Sequence, residues 1–197
     1  MNLPNKLTIF RIILVPIMVV IPLLNIQGAL LGIPYTYWII NFIFIIASIT
    51  DKLDGTIARK TNQVTNFGKF ADPLADKILV LSAMLLLVEF GKIPAWIPII
   101  ILAREFIVSG YRLIAVEQGG KVIAASIYGK IKTVTQIIAI ILAFIDINGF
   151  ARFLTGGLTG IPLVLNVTQT LMMLVCVITT IISGIDYLKD GKKYLGL

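Results

Sequence analysis

Six long apolar runs, separated by short polar connections, constrain this chain more than any other feature. They cover residues 7–24, 35–50, 68–90, 95–116, 124–145 and 162–188. Each offers roughly the 17–25 residues that a helix needs to cross hydrocarbon. Lipid-exposed backbone must satisfy its own hydrogen bonds, and no alternating barrel pattern is visible, so helices are forced. With 58% hydrophobic and 14% charged residues, the 197-residue chain is far more apolar than a water-soluble core requires. The sequence predicts an all-α integral membrane protein with six transmembrane helices, folded as a single domain over residues 1–197. The first run carries Arg11 near its start and lacks a small-residue cleavage pattern, so it is expected to be a retained helix.

Basic residues set the orientation. Lys6, Lys52, Arg59, Lys60, Lys69, Lys77, Arg112, Lys121, Lys130, Lys132, Lys189, Lys192 and Lys193 fall on one side of the predicted spans. The other side has Lys92 and Arg152, offset by Glu89 and Asp146. The positive-inside rule then places both termini at the cytoplasm. The net charge of +7 sits beside apolar runs, which points to anionic membrane lipids or a phosphorylated substrate and not to nucleic acid. The connections at 25–34, 91–94 and 147–161 hold Gly, Pro and Asn and read as turns. Gly156, Gly157 and Gly160 follow no strand and are no phosphate loop.

The chain has no histidine, which removes Ser-His-Asp chemistry, His-ligated zinc and the commonest general base. A single cysteine, Cys176, excludes internal disulfides. Carboxylates, Lys, Arg, Tyr and hydroxyls remain. Of ten acidic residues, Asp51, Asp54, Asp72 and Asp76 lie within one short stretch at the ends of two apolar runs. Unneutralised carboxylates are costly at such a boundary.

On a helix, Asp51 and Asp54 lie about 60° apart and share a face. Gly55 and Ala58 leave that face without bulk, so a ligand can approach the backbone, and Arg59 follows. Gly68, Asp72 and Asp76 recur at four-residue spacing along one side of the next helix. Oxygen-only ligands on rigid helices suit hard cations, Mg²⁺ or Mn²⁺. Two ions would balance four carboxylates and clamp a diphosphate, and an edge carboxylate could accept a proton. The competing reading makes these residues solvated helix ends paired with Lys52, Lys69 and Lys77. Four acids in register with Gly and Ala favour the metal site.

The pattern D-x-x-D-G-x-x-A-R, eight residues, then G-x-x-x-D-x-x-x-D resembles the signature of the CDP-alcohol phosphotransferases. Asp51, Asp54, Gly55, Ala58, Arg59, Gly68, Asp72 and Asp76 match it without departure. The resemblance implies a Mg²⁺- or Mn²⁺-dependent transfer of a substituted phosphate from a CDP-linked donor to an alcohol, releasing CMP. It makes Asp51, Asp54 and Asp72 metal ligands, and Asp76 a ligand or the base. It assigns CDP binding to Asp51, Asp54, Gly55, Ala58, Arg59 and Gly68, and implies a homodimer.

Three further motifs bear on the acceptor: N-x-x-T-x-x-R with Asn5, Thr8 and Arg11; R-E-x-x-x-S-G-x-R with Arg104, Glu105 and Arg112; and G-K-x-K-T-x-T-Q with Lys132. Arg112, Lys132, Arg104, Arg11 and Thr8 are the expected ligands of an acceptor phosphate, Arg as a fork and Lys as a point charge. Arg11 and Arg104 lie deeper in their runs, where pairing with Glu105 or an Asp is the alternative. With A-D-P-L-A-D-K around Asp72, these motifs are similar to the bacterial phosphatidylglycerophosphate synthase branch of the family. That branch implies CDP-diacylglycerol as donor and sn-glycerol 3-phosphate as acceptor, in a multi-pass protein of the bacterial cell membrane whose active site faces the cytoplasm. Inositol phosphate is the alternative acceptor. An intramembrane prenyltransferase would hold its Asp motifs far apart in sequence. A divalent-cation transporter would hold its acids near mid-membrane and gives no reason for Gly55, Ala58 and Arg59.

Overall fold

The apolar runs form helices, two of which start at side-chain caps. In the computed structural model, which describes residues 2–60, 65–117 and 127–195, α1 spans Leu3–Val20. The Asn2 side chain caps it by accepting from the Asn5 N–H, and a one-turn 3₁₀ helix, Ile21–Leu24, continues it. Helix α2 spans Tyr35–Lys60, α3 Asn66–Glu89, α4 Trp96–Glu117, α5 Ile127–Ile145 and α6 Gly160–Leu195. The expected turn before α2 holds a two-residue antiparallel ladder, β1 (Ala29–Leu30) with β2 (Ile33–Pro34). The turn before α6 holds a second 3₁₀ helix, Arg152–Thr155. Thr65 caps α3 by accepting from the Gly68 N–H. The D-x-x-D-G segment is thus the C-terminal part of α2, and the second Asp pair lies in the opening turns of α3.

Among the described residues the architecture is all-α apart from that ladder. Three segments, Pro4–Leu24, Ile127–Ile145 and Gly160–Lys189, are long and apolar enough to cross a membrane, and Tyr35–Asp51 is a shorter apolar helix. Helices α3 and α4 carry internal charges, Asp72, Asp76 and Lys77 on one and Arg104 and Glu105 on the other. The distribution on α6 is the reverse of a water-soluble helix. Asn166, Gln169, Thr170, Thr180 and Ser183 are buried, while Ile161, Val164, Leu171, Ile178, Ile181 and Ile185 are exposed. Polar side chains facing helical neighbours and apolar ones facing outward is the arrangement that suits hydrocarbon.

The described residues group into two packing units. The first contains residues 1–93 and 140–149, the second 94–139 and 150–197. In the first unit α1 packs on α2 and α3. Met18, Ile40, Phe44, Ala47, Ala71, Ala75 and Leu79 are buried, and the alanines let the helix backbones approach. At one end of this unit the buried Lys92 ammonium donates to the Asp146 carbonyl at 2.8 Å and lies 5.1 Å from the centre of the Tyr37 ring. The Asp146 carboxylate accepts from the backbone and the side chain of Asn148, closing the turn after α5.

In the second unit α4 packs on α6. Val108, Tyr111 and Tyr187 form a buried cluster there. Thr170 and Asn166 of α6 accept from the backbone N–H groups of Ala151 and Phe153, which ties down the preceding turn. Cys176 is buried and unoxidised.

Candidate active site

The carboxylate motif is built within the first unit. Asp51 lies on α2, and Asp72 and Asp76 lie on α3, all partly buried. Asp72 is close enough to Asp51 for its charge to act on that carboxylate. Helix α1 supplies the neutralising and fixing groups. The Arg11 guanidinium, fully buried, sits 2.7 Å from Asp51 Oδ1, while the Asp51 side chain is 40% exposed. The Thr8 hydroxyl donates to Asp72 Oδ1 at 2.5 Å and also lies 3.1 Å from the Pro4 carbonyl. One turn earlier, Thr65 donates to Asn5 Oδ1 at 2.8 Å.

Gly68 is buried in the middle of this arrangement. A Cβ there would stand 3.3 Å from Thr65 Oγ1, 3.4 Å from Asn5 Oδ1 and 3.5 Å from Asp72 Oδ2. Glycine at this position lets three oxygen-bearing side chains crowd the first turn of α3. Pro73 next to Asp72 has no N–H for the carbonyl one turn back, so the continuous helix lacks one backbone hydrogen bond beside the carboxylate. Asp54, Gly55, Ala58 and Arg59 lie on the helical backbone at the end of α2, and their side chains fall outside the described residues.

A second charged cluster lies within the other unit. Glu105 Oε1 accepts from Lys132 Nζ at 2.6 Å and from Arg104 Nη1 at 3.1 Å. Arg104 Nη2 donates to the Ser183 hydroxyl at 2.5 Å, and its guanidinium lies 5.6 Å from the centre of the Tyr187 ring. Its stem runs over Gly184, where an added Cβ would stand 3.4 Å from Arg104 Cγ. Arg104 Nε finds no partner among the described residues. A buried Lys and a partly buried Arg thus share one carboxylate oxygen, two cations on one acid within this cluster. The Arg112 side chain falls outside the described residues.

Of the five residues expected to hold one acceptor phosphate, four have described side chains. Thr8 and Arg11 join the carboxylate motif, and Arg104 and Lys132 join Glu105. Sequence reasoning passed over Thr65 and Ser183. Thr65 carries a readable signal, a Thr three residues before a Gly at a helix start. Ser183 carries none, because which face of α6 meets Arg104 is a matter of packing.

The chain matches the model of the CDP-alcohol phosphatidyltransferase family over residues 1–182. It is 44% identical over 199 residues to the Bacillus subtilis protein named CDP-diacylglycerol–glycerol-3-phosphate 3-phosphatidyltransferase, covering 98% of this chain and 97% of that one. The chain belongs to the CDP-alcohol phosphatidyltransferase family. It is also similar to a Haemophilus influenzae protein of the same name, at 37% identity covering 98% of this chain and 95% of the relative. A Mycobacterium tuberculosis protein named probable phosphatidylglycerophosphate synthase is 35% identical, covering 99% of this chain and 84% of the relative.

The metal dependence typical of this family can be tested against the donors present. Among the described residues no three acidic side chains close on one point. The motif's fourth carboxylate, Asp54, lies outside them, so the donor chemistry decides. Asp51, Asp72 and Asp76 offer only oxygen, the choice of Mg²⁺ and Mn²⁺. Asp51 and Asp72 act on each other as like charges, and Asp51 stays open to solvent with Arg11 against one of its oxygens. Such a pair fits a divalent cation.

Proposed function

We propose that this member of the family transfers the phosphatidyl group of CDP-diacylglycerol to sn-glycerol 3-phosphate, giving phosphatidylglycerol phosphate and CMP. The observation that carries this reading is the 44% identity, over nearly the whole of both chains, to a protein named for that reaction. The eight-position motif, matched without departure, supports it.

Asp51, Asp54, Asp72 and Asp76 would hold the divalent cations, two ions of Mg²⁺ or Mn²⁺. When bound, such ions neutralise a diphosphate and stabilise the oxygens of an in-line displacement. Gly55 and Ala58 keep one face of α2 low enough for the cytidine nucleotide, and Arg59 meets its phosphates. Asp51, Asp54 and Gly68 complete the CDP-binding set, with Gly68 acting through the packing of Asn5, Thr65 and Asp72. Asp76 takes the proton of the acceptor 1-hydroxyl. That oxygen bonds to the phosphorus carrying the diacylglycerol. The bond from this phosphorus to the bridging oxygen breaks, and its electron pair leaves with CMP. Arg112, Lys132 and Arg104 bind the acceptor phosphate. The Glu105 bridge keeps the last two side chains extended and partly neutralised until a dianion arrives.

The whole chain forms one membrane domain with six spans, both termini and the Asp motif at the cytoplasmic face of a bacterial cell membrane. It works as a homodimer. The outward-facing apolar side chains of α6 and the one-sided Lys and Arg distribution support this placement.

The test is an acceptor screen with purified protein and labelled CDP-diacylglycerol. CMP release is expected only when glycerol 3-phosphate and Mg²⁺ or Mn²⁺ are both present. Release with inositol phosphate in place of glycerol 3-phosphate would overturn the acceptor and leave the family chemistry standing.

A further inference from the structure

Helix α1 presents three buried polar side chains, Asn5, Thr8 and Arg11, at successive three-residue steps. Each engages a different point of the carboxylate motif. Asn5 Oδ1 accepts from Thr65, whose hydroxyl also accepts from the Gly68 N–H and so starts α3. Thr8 donates to Oδ1 of Asp72 on α3, and Arg11 pairs with Oδ1 of Asp51 on α2. We propose that α1 is the positioning element of the metal-binding carboxylates. Thr8 and Arg11 set the orientation of Asp72 and Asp51 for cation binding and do not bind the acceptor phosphate. The inference rests on the metal-dependent reading given above.

Two observations separate this role from the acceptor role that the sequence suggests. Thr8 and Arg11 are both 0% exposed, so a phosphate reaches neither without displacing α1. The Thr8 hydroxyl has one hydrogen, and Asp72 Oδ1 and the Pro4 carbonyl already compete for it, which leaves none for a phosphate oxygen. The positioning role has a direct physical basis. A carboxylate on a single methylene turns about two torsions, and a bond to one oxygen fixes its plane and leaves the other oxygen for ligation. Asp51 and Asp72 also repel each other. Arg11 offsets that repulsion, and the Asn5–Thr65 contact pins the start of the helix that carries Asp72. Two hydrogen bonds and an ion pair from one helix thereby hold two carboxylates on two other helices before any cation binds.

The experiment measures Mn²⁺ binding directly on purified, substrate-free protein by the electron paramagnetic resonance of unbound Mn²⁺. The wild type is compared with Thr8→Val and Thr8→Ser. Val keeps the shape of Thr and removes the hydroxyl, and it is expected to weaken Mn²⁺ binding about ten- to hundredfold. Ser retains the hydroxyl and is expected to restore most of the affinity. In turnover at saturating metal, the KM for glycerol 3-phosphate should stay at the wild-type value in both. Wild-type Mn²⁺ affinity in Thr8→Val would overturn the proposal. So would a raised KM for glycerol 3-phosphate at unchanged Mn²⁺ affinity, which would return Thr8 to the acceptor site. A wild type that binds no Mn²⁺ would sink the metal reading itself, and the proposal with it. Arg11→Lys is measured alongside, in case Thr8→Val does not fold. It keeps the charge and loses the fork, so it should lower Mn²⁺ affinity at an unchanged unfolding temperature. Wild-type Mn²⁺ affinity in folded Arg11→Lys would also overturn the proposal.

Discussion

Gly68→Ala puts the packing at the start of α3 to a quantitative test. The backbone of Gly68 is helical with an ordinary φ, so alanine fits it without strain and gains up to about 1 kcal/mol of helix propensity. Against this, the new methyl meets oxygens of Thr65, Asn5 and Asp72 at 3.3, 3.4 and 3.5 Å. Only Thr65 Oγ1 is crowded and must give by a few tenths of an ångström, while Asn5 and Asp72 come into ordinary contact. None of them is a loose chain end: Thr65 Oγ1 accepts the Gly68 N–H, Asn5 Oδ1 accepts from Thr65, and Asp72 is bonded to Thr8. Loosening one or two such bonds costs about 0.5–1.5 kcal/mol each. Gain and loss nearly cancel, so the unfolding temperature should move by less than about 5 °C. The methyl also comes into contact with Asp72 Oδ2, the oxygen not bonded to Thr8, and Asp72 enters the chemistry directly. The expected result is a nearly unchanged Tm, a weaker dependence on Mn²⁺ and a drop in kcat/KM of at least about tenfold. The assays are thermal unfolding in detergent and CMP release as a function of Mn²⁺ concentration. A raised KM for CDP-diacylglycerol with unchanged metal dependence would refute the reasoning, because Gly68 would then make room for the nucleotide.

Three other outcomes are expected. Asp76→Asn should remain folded in the membrane and lose about 10²–10⁴-fold in turnover, and near-normal CMP release would remove Asp76 as the base. Arg112→Ala should raise the KM for glycerol 3-phosphate about ten- to hundredfold with kcat nearly unchanged, the mark of lost binding, and an unaltered KM would make Arg112 a topology charge only. Lys92 carries a pH signature outside the active site. Burial lowers its ammonium below the ordinary value of 10.5, with Asp146 opposing in part. The unfolded chain then holds more protons than the folded one between the two values, so stability rises with pH across that window and falls as pH drops through the folded value. Thermal unfolding of Lys92→Met should lose that slope; an identical slope in the variant would mean that Lys92 is not buried as a cation.

The apolar helices and the carboxylate motif were readable for different reasons. Helices were legible because hydrocarbon permits nothing else to a run of apolar residues, but their starts were not, since the caps Asn2 and Thr65 lie in polar sequence before the apolar runs. The turn at 25–34 concealed a two-residue ladder, since pairs that short leave no period to read. The Asp motif was legible because helical spacing by itself puts Asp51 with Asp54, and Asp72 with Asp76, on shared faces. The partners of Arg11 and Arg104 were less so. Each was expected to meet either a phosphate or an acid, and spacing along one helix holds no information on what another helix brings opposite.

The sequence alone thus determined the apolar character of the helices, their order among the described residues and the chemistry that four aspartates and no histidine permit. These follow from periodicity, length and composition, which are local properties. Tertiary structure decided the rest. It set Arg11 against Asp51 and Thr8 against Asp72, joined Arg104 and Lys132 through Glu105, set Ser183 against Arg104, and packed three oxygens around Gly68. Those pairings depend on which faces of separate helices meet. A buried charge or hydroxyl must find a partner, but only the packing names which one.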